Sequence, residues 1–431
     1  MRVLFVTYAE RTHFLAMAPL AWALRTAGHE VRFASQPAFV DEITRAGLTA
    51  VSVGRHRDPA RMMELAPDAH GAGRVGLPEP YDAALLPPER IEWEPLRDAY
   101  ARQVRYWHRP ENVPMISDLV EFARSWQPDL VIWEPTTYAG PIAAKACGAA
   151  HARLMFSLDI YGVTRDHQLR LKATRPAAEQ VDPLAEWLGS YGRTYGFEFS
   201  EDMVTGHFTI DQLPACLRME ADLHYVPMRY VPYGGTAVVP EWLWEAPKRP
   251  RVALTFGLVA TERFDGYVVG VEDVMASLAD LDVEVVATIA ESEQAKLGSV
   301  PHNVRVVSYV PLNALVPTCS AVIHHAGFGT LSTTALHAVP QLLLAWHFDE
   351  PELARGLVAQ GGALCVPAAE ATGPAVREQL VRLLTEPRFQ EGARRLRDQL
   401  LDMPTPNQLV GRIEELALRA TRNKRSEHVP V

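Results

Sequence analysis

Short runs of consecutive apolar residues alternate along the chain with longer stretches whose apolar positions recur every three or four residues. Residues 3–8 form such a run, rich in β-branched and aromatic side chains. Residues 14–27 follow at helical spacing, with Gly28 where a helix would stop. Residues 31–34 predict a second strand, 37–46 a second helix closed by Gly47, and 48–53 a third strand. After a gap the pattern resumes with a helix over 112–126, a strand over 130–133, a helix over 137–147 ended by Gly148, and a strand over 152–156. A second alternation predicts strands at 251–256, 284–289, 304–307, 321–324, 341–344 and 363–366. Helices between and after them are expected at 269–281, 312–316, 330–337, 350–360 and 374–384. Strands alternating with helices in this way imply two α/β halves, each a doubly wound parallel sheet with right-handed crossovers.

Two stretches break the alternation. Residues 55–114 hold nine prolines interleaved with Tyr81, Trp93, Tyr100, Tyr106 and Trp107, which predicts a long irregular segment serving either as a binding loop or as surface padding. Pro227, Pro232, Pro240, Pro247 and Pro250, with Gly234 and Gly235 among them, mark a linker. The expected division is therefore residues 1–226, a linker over 227–250, and residues 251–431, with the last helix able to pack back on the first domain.

The chain has 431 residues, enough for two cores. Its balance of 42 basic and 52 acidic residues, a net −10, repels phosphate backbones, so nucleic acid is not an expected partner. The basic cluster Arg419, Arg422, Lys424 and Arg425 is read as a solvated, fraying end. Cys147, Cys216, Cys319 and Cys365 form no C-x-x-C pair and are expected as reduced, buried thiols. No signal peptide or long apolar span is visible, which places the protein in the cytoplasm without integral membrane contact.

Ligands of parallel sheets sit beyond the carboxyl ends of the strands, so the informative residues are those that follow strands. Neither half has G-x-G-x-x-G after its first strand, which lowers the rank of a nicotinamide enzyme. In the second half Ile323-His324-His325-Ala326-Gly327-Phe328-Gly329-Thr330 runs from strand through a glycine turn to a helix start, a place for a diphosphate. The paired histidines can equally be structural or metal ligands. His13 follows the first strand and can accept a proton from a hydroxyl near neutral pH, and Glu134 emerges after the 130–133 strand where it can orient that ring. Either residue is also explained as an ordinary loop polar group. Asp349 and Glu350 follow the 341–344 strand, as sugar ligands or as a helix cap and first turn. Gly257 closes the first strand of the second half, for close diphosphate approach or simply for a tight turn.

At these residues the chain resembles a nucleotide-sugar-dependent family 1 glycosyltransferase, with the GT-B fold of two facing Rossmann-like domains and a cleft between them. It looks most like the activator-dependent macrolide desosaminyltransferase type. The likeness rests on Arg11-Thr12-His13-Phe14, Ala27-Gly28-His29-Glu30-Val31-Arg32, Gln127-Pro128-Asp129 through Glu134-Pro135-Thr136-Thr137, Met228-Arg229-Tyr230-Val231-Pro232, the His324–Thr330 turn, and Asp402-Met403-Pro404-Thr405-Pro406. The resemblance implies an inverting transfer of a deoxysugar from a thymidine-diphosphate (TDP) sugar to a hydrophobic polyketide hydroxyl in antibiotic biosynthesis. His13 would be the base and Glu134 its orienting carboxylate. His325, Gly327, Gly329, Thr330 and Gly257 would hold the diphosphate, Tyr309 and Val310 the nucleobase, and Asp349 the sugar. It further implies no metal or other cofactor beyond the TDP-sugar co-substrate, and a helper protein similar to a haem-thiolate oxygenase that has lost its haem, docking near residues 55–114. Ala326, Phe328 and Phe348 depart from the usual family pattern, implying a stiffer turn and a different sugar pocket. A sugar-nucleotide 2-epimerase and a catalytically silent TDP-sugar-binding partner are the alternatives.

Overall fold

The computed structural model describes residues 1–55, 75–257 and 266–427, with side chains through Arg422. Two all-parallel sheets carry the molecule. The first has seven strands in the order β3-β2-β1-β4-β5-β6-β7. They are β1 (Arg2–Val6), β2 (Glu30–Ser35), β3 (Ala50–Ser52), β4 (Leu130–Trp133), β5 (Ala150–Leu154), β6 (Thr209–Asp211) and β7 (Tyr225–Pro227). The second has six, in the order β10-β9-β8-β11-β12-β13. These are β8 (Arg251–Thr255), β9 (Glu284–Thr288), β10 (Val304–Val307), β11 (Ala321–His324), β12 (Gln341–Leu343) and β13 (Ala363–Cys365). The central strands β4, β5, β8 and β11 are buried along their whole length, as expected of parallel strands covered by helices on both faces.

Strand order reverses between β1 and β4 in the first sheet and between β8 and β11 in the second. At such a switch point the crossover helices leave to opposite faces and a crevice opens beyond the strand ends. Pairing of Val6 with Trp133 and of His324 with Thr255 brings the ends of each pair level, so the loops after them start side by side.

The 55–114 expectation is corrected. Residues 56–74 lie outside the described residues, but the rest is largely helical: short turns at Tyr81–Leu85 and Pro88–Arg90, a helix over Trp93–Gln103, a wide π turn at Val104–His108, and a helix over Arg109–Trp126. Pro95 sits in a first turn, where the missing N–H has no helical partner anyway, whereas Pro110 follows the π turn directly and Pro114 lies inside the helix. The buried side chains Trp93, Leu96, Tyr100 and Val104 recur at helical spacing. The helices Ile160–Ala173, Pro183–Ser190 and Pro387–Asp402 and the strands β6 and β7 were not anticipated.

The last helix, Pro406–Glu427, lays Leu409, Ile413, Leu416 and Ala417 into the core of the first sheet beside Leu20, Leu24 and Phe208. The basic cluster occupies the closing turns of this helix; Arg419 is exposed, as expected, and pairs with Glu415. Of the four free thiols, Cys365 is exposed and the others are half-buried, against the expectation of burial. A shared apolar cluster joins Leu77, Met155, Leu158 and Tyr161 of the first half to Ala326, Leu331, Leu343 and Leu353 of the second. That cluster brings the ligand edges of the two sheets face to face. Among the described residues no helix is long and apolar enough to cross a membrane.

Candidate active site

At the first switch point the helix Arg11–Thr26 carries His13 in its first turn, and the turn after β4 carries Glu134. His13 Nδ1 stands 3.5 Å from Glu134 Oε2, an ion-pair distance whose alignment falls short of a well-formed hydrogen bond. Contacts of this kind tighten when substrate closes a site. The His13 ring stacks on Phe156 at 3.7 Å between centroids and meets the edge of Tyr8. It is thus held from two sides.

Glu134 is fully buried. Burial alone would raise its pKa, but the nearby His13 ring, the Thr137 hydroxyl and the Thr136 amide outweigh it and hold the carboxyl below its ordinary range. The Thr136 amide donates to Oε2 at 2.8 Å, the Thr136 hydroxyl also at 2.8 Å, and the Thr137 hydroxyl donates to Oε1. A buried carboxylate so supplied stays ionised and fixed, as a partner for an imidazole requires.

At the second switch point the two histidines separate in role. His324 Nε2 lies 2.8 Å from Gln341 Oε1, and its Nδ1 accepts from the Ala326 amide at 3.1 Å. It is a structural side chain, and burial pushes its pKa down to about 3. His325 lies next to the glycines. A Cβ on Gly257 would come within 2.6 Å of its ring, and one on Gly327 would strike Nε2, so only glycine leaves that ring its place. Burial lowers the His325 pKa to about 4, the Thr255 backbone opposing and His347 reinforcing the shift, so the imidazole is neutral at physiological pH. Its Nδ1 is buried without a hydrogen-bond partner.

Gly327 caps the helix Phe328–Leu336 with no side-chain cap bond, which leaves first-turn N–H groups, including those of Gly329 and Thr330, toward the crevice. Ala326 turns the chain at φ 73°, a left-handed conformation that costs a non-glycine residue about 1–2 kcal/mol. Phe348, the other departure from the family pattern at a turn, is left-handed too, at φ 50°.

Tyr309 and Val310 follow β10 and differ in what they offer. Tyr309 is 45% exposed and donates to the Gly234 carbonyl of the linker at 3.1 Å. Val310 packs in a core with Leu243 and Ala253. Asp349 is the N-cap residue of the helix Glu350–Ala359, with Glu350 and Pro351 in its first turn as expected, but its side chain makes no cap bond. Its carboxyl is buried, Oδ2 without a hydrogen-bond partner, and its pKa is raised by burial against the opposing influence of Ser157 and Leu158 across the cleft. Glu350 turns back instead, accepting from the His347 amide at 3.0 Å and the Trp346 amide at 3.2 Å, and so shapes the loop that presents Asp349. Burial raises the Glu350 pKa to about 8.

Sequence reasoning missed Phe156, Thr136, Thr137 and Glu350 as supports of these groups. Their nearness in sequence to strand ends was the available signal. Among the described residues one group has metal-ligand proximity, His151, Asp202 and His207. His151 sits near the start of β5, at the edge of the sheet away from His13, and Lys145 already pairs with Asp202 at 2.7 Å.

Comparison with known proteins agrees along the whole length. The model for the erythromycin biosynthesis protein CIII-like N-terminal domain matches residues 22–257, and that for its C-terminal domain matches residues 272–416. The chain is 45% identical to 10-deoxymethynolide desosaminyltransferase of Streptomyces venezuelae over 98% of both chains. It is 40% identical to 3-alpha-mycarosylerythronolide B desosaminyl transferase of Saccharopolyspora erythraea, over 97% of this chain and 98% of that one. Among solved structures, the glycosyltransferase VinC in complex with dTDP superposes with a TM-score of 0.86 at 40% identity, over 97% of this chain and all of VinC. These relatives are transferases, so nothing supports the epimerase or the silent partner. The fold is GT-B, and the chain belongs to the erythromycin biosynthesis protein CIII-like family of glycosyltransferases.

Proposed function

We propose that this enzyme moves a deoxysugar from a TDP-sugar to a hydroxyl of a hydrophobic, macrolide-type polyketide, with inversion at the anomeric carbon. The observation that carries the reading is the pairing of switch points. A histidine with a buried carboxylate stands on one side of the cleft, and a neutral histidine framed by glycines and a helix N-terminus stands on the other. His13 takes the acceptor proton on Nε2 as the acceptor oxygen bonds to the anomeric carbon, while Glu134 stabilises the imidazolium through Nδ1. The bond from that carbon to the diphosphate breaks, and TDP leaves. Its charge is received by His325 and the N–H groups near Gly327, Gly329 and Thr330, with Gly257 leaving room. Tyr309 and the Val310 backbone hold the base, and Asp349 the sugar hydroxyls. The acceptor belongs to residues 1–226 and the donor to residues 251–431, joined by the linker over 227–250.

VinC was solved with dTDP, and two relatives are named for desosaminyl transfer, which supports this donor and acceptor class. A thermal-shift titration with TDP, UDP and NAD, with and without EDTA, tests the reading. TDP at 100 times its Kd adds about 2.7 kcal/mol of stability. The expected result is stabilisation by TDP that EDTA leaves unchanged and that His325→Ala weakens; no response to TDP overturns the donor assignment. In this reading a helper similar to a haem-less oxygenase docks near residues 55–114, of which 56–74 lie outside the described residues, and a failure of the two proteins to co-purify removes it.

A further inference from the structure

Glu134 is anchored from a direction that its own turn does not supply. Asn112, on the Arg109–Trp126 helix, is fully buried and spends its amide on three backbone groups. Its Nδ2 donates to the carbonyls of His108 at 2.8 Å and Thr136 at 2.9 Å, and its Oδ1 accepts from the Ala139 amide at 2.9 Å. Thr136 and Ala139 bracket the turn that leads from Glu134 into the next helix, and Thr136 is the residue whose amide and hydroxyl both grip the Glu134 carboxylate. The turn also closes on itself, since the Thr137 amide donates to the Glu134 carbonyl at 2.9 Å.

Two donors and one acceptor at these positions call for a carboxamide. An aspartate of the same shape would set a carboxylate against two carbonyls, and an alanine would remove all three bonds. We propose that Asn112 is a positioning residue for the reaction: it fixes the turn that aims Glu134 at His13 Nδ1, and through it the tautomer of the base. The inference rests on the reading of Glu134 as the partner of His13. The same helix is reached from the other half of the molecule. His108 Nε2 lies 2.7 Å from the Tyr81 hydroxyl, and the segment before Tyr81 docks on the sugar loop, the Gly76 amide donating to the Trp346 carbonyl at 2.9 Å. The carboxylate turn is therefore braced against the element that meets the donor half.

The test is the 15N spectrum of the His13 ring in full-length protein, its signals assigned by their loss in His13→Ala. An ion partner at Nδ1 sets which nitrogen carries the proton. The wild type is expected as the single Nδ1–H tautomer. Glu134→Gln and Asn112→Ala are each expected to give a tautomer mixture, and the double variant to match Glu134→Gln alone, because the two act through one contact. Stabilisation by TDP, bound on the far side of the cleft, should be the same in all four proteins and shows that each is folded. If Asn112→Ala does not fold, Asn112→Ser, which leaves room for water at the lost contacts, takes its place. A wild-type ring spectrum in the Asn112 variant, or a further change on adding it to Glu134→Gln, overturns the proposal. A wild-type spectrum in Glu134→Gln instead overturns the underlying pairing of Glu134 with His13.

Discussion

The two switch points share a topology and differ in how each treats its histidine. After β1 and β4, the imidazole of His13 stands beside a buried anion held ionised by three donors. After β8 and β11, His325 is desolvated, with no cation and no well-placed anion to hold it: Glu350 Oε1 is 3.9 Å away. The first arrangement sets a fixed anion beside the ring. The second opposes a proton on the ring, and the pKa near 4 expresses that opposition. One fold, used twice, thus builds a group suited to moving a proton and another suited to donating hydrogen bonds while staying neutral. What distinguishes them is a single carboxylate on the neighbouring strand's loop, present after β4 and replaced after β8 by the bare backbone of Gly257.

Three experiments break or sharpen this contrast. The largest effect is expected from His13→Ala, a loss of turnover of at least about a hundredfold with the TDP thermal shift retained; a near-normal rate removes His13 from proton transfer. Next is Gly327→Ala. Its Cβ displaces the His325 ring, and TDP affinity is expected to fall about tenfold, or about 1.4 kcal/mol, with the His13 side untouched. Unchanged affinity in a calorimetric titration separates the ring from the diphosphate.

The smallest effect is on stability against pH. His325 has its folded pKa near 4 and its reference value at 6.5, so between those values the unfolded chain binds the extra proton. Its contribution is full above pH 6.5 and declines as pH falls toward 4. Melting curves across that range should therefore be shallower for His325→Gln than for the wild type, and parallel curves contradict the desolvated ring.

Much of the fold was legible. The strands 130–133 and 321–324 agree with β4 and β11 residue for residue, because strands buried on both faces are plain apolar runs, and 304–307 agrees with β10, a partly buried edge strand. The helical residues 93–111 were read as irregular because prolines were counted without regard to position, although Pro95 sits in a first turn and Pro110 directly after a π turn; the helix expected over 112–126 is there. The site residues were found by their place after strands. Their supports were not, since Asn112 lies mid-helix, 22 residues before Glu134, and nothing in its neighbours' pattern points to the turn it holds.

The sequence by itself determined the alternation of elements, the glycine turn before the Phe328–Leu336 helix, and a histidine and a carboxylate at two strand ends. Those are local matters of periodicity, backbone freedom and side-chain type. Only the tertiary structure decided how His13 and Glu134 meet and what supports them, that His324 is hydrogen-bonded to Gln341 while His325 lies against Gly257 and Gly327, and that Asp349 caps its helix without a side-chain cap bond. Each of these depends on which groups lose water and which partners they then meet, and that is set by packing between elements far apart in the chain.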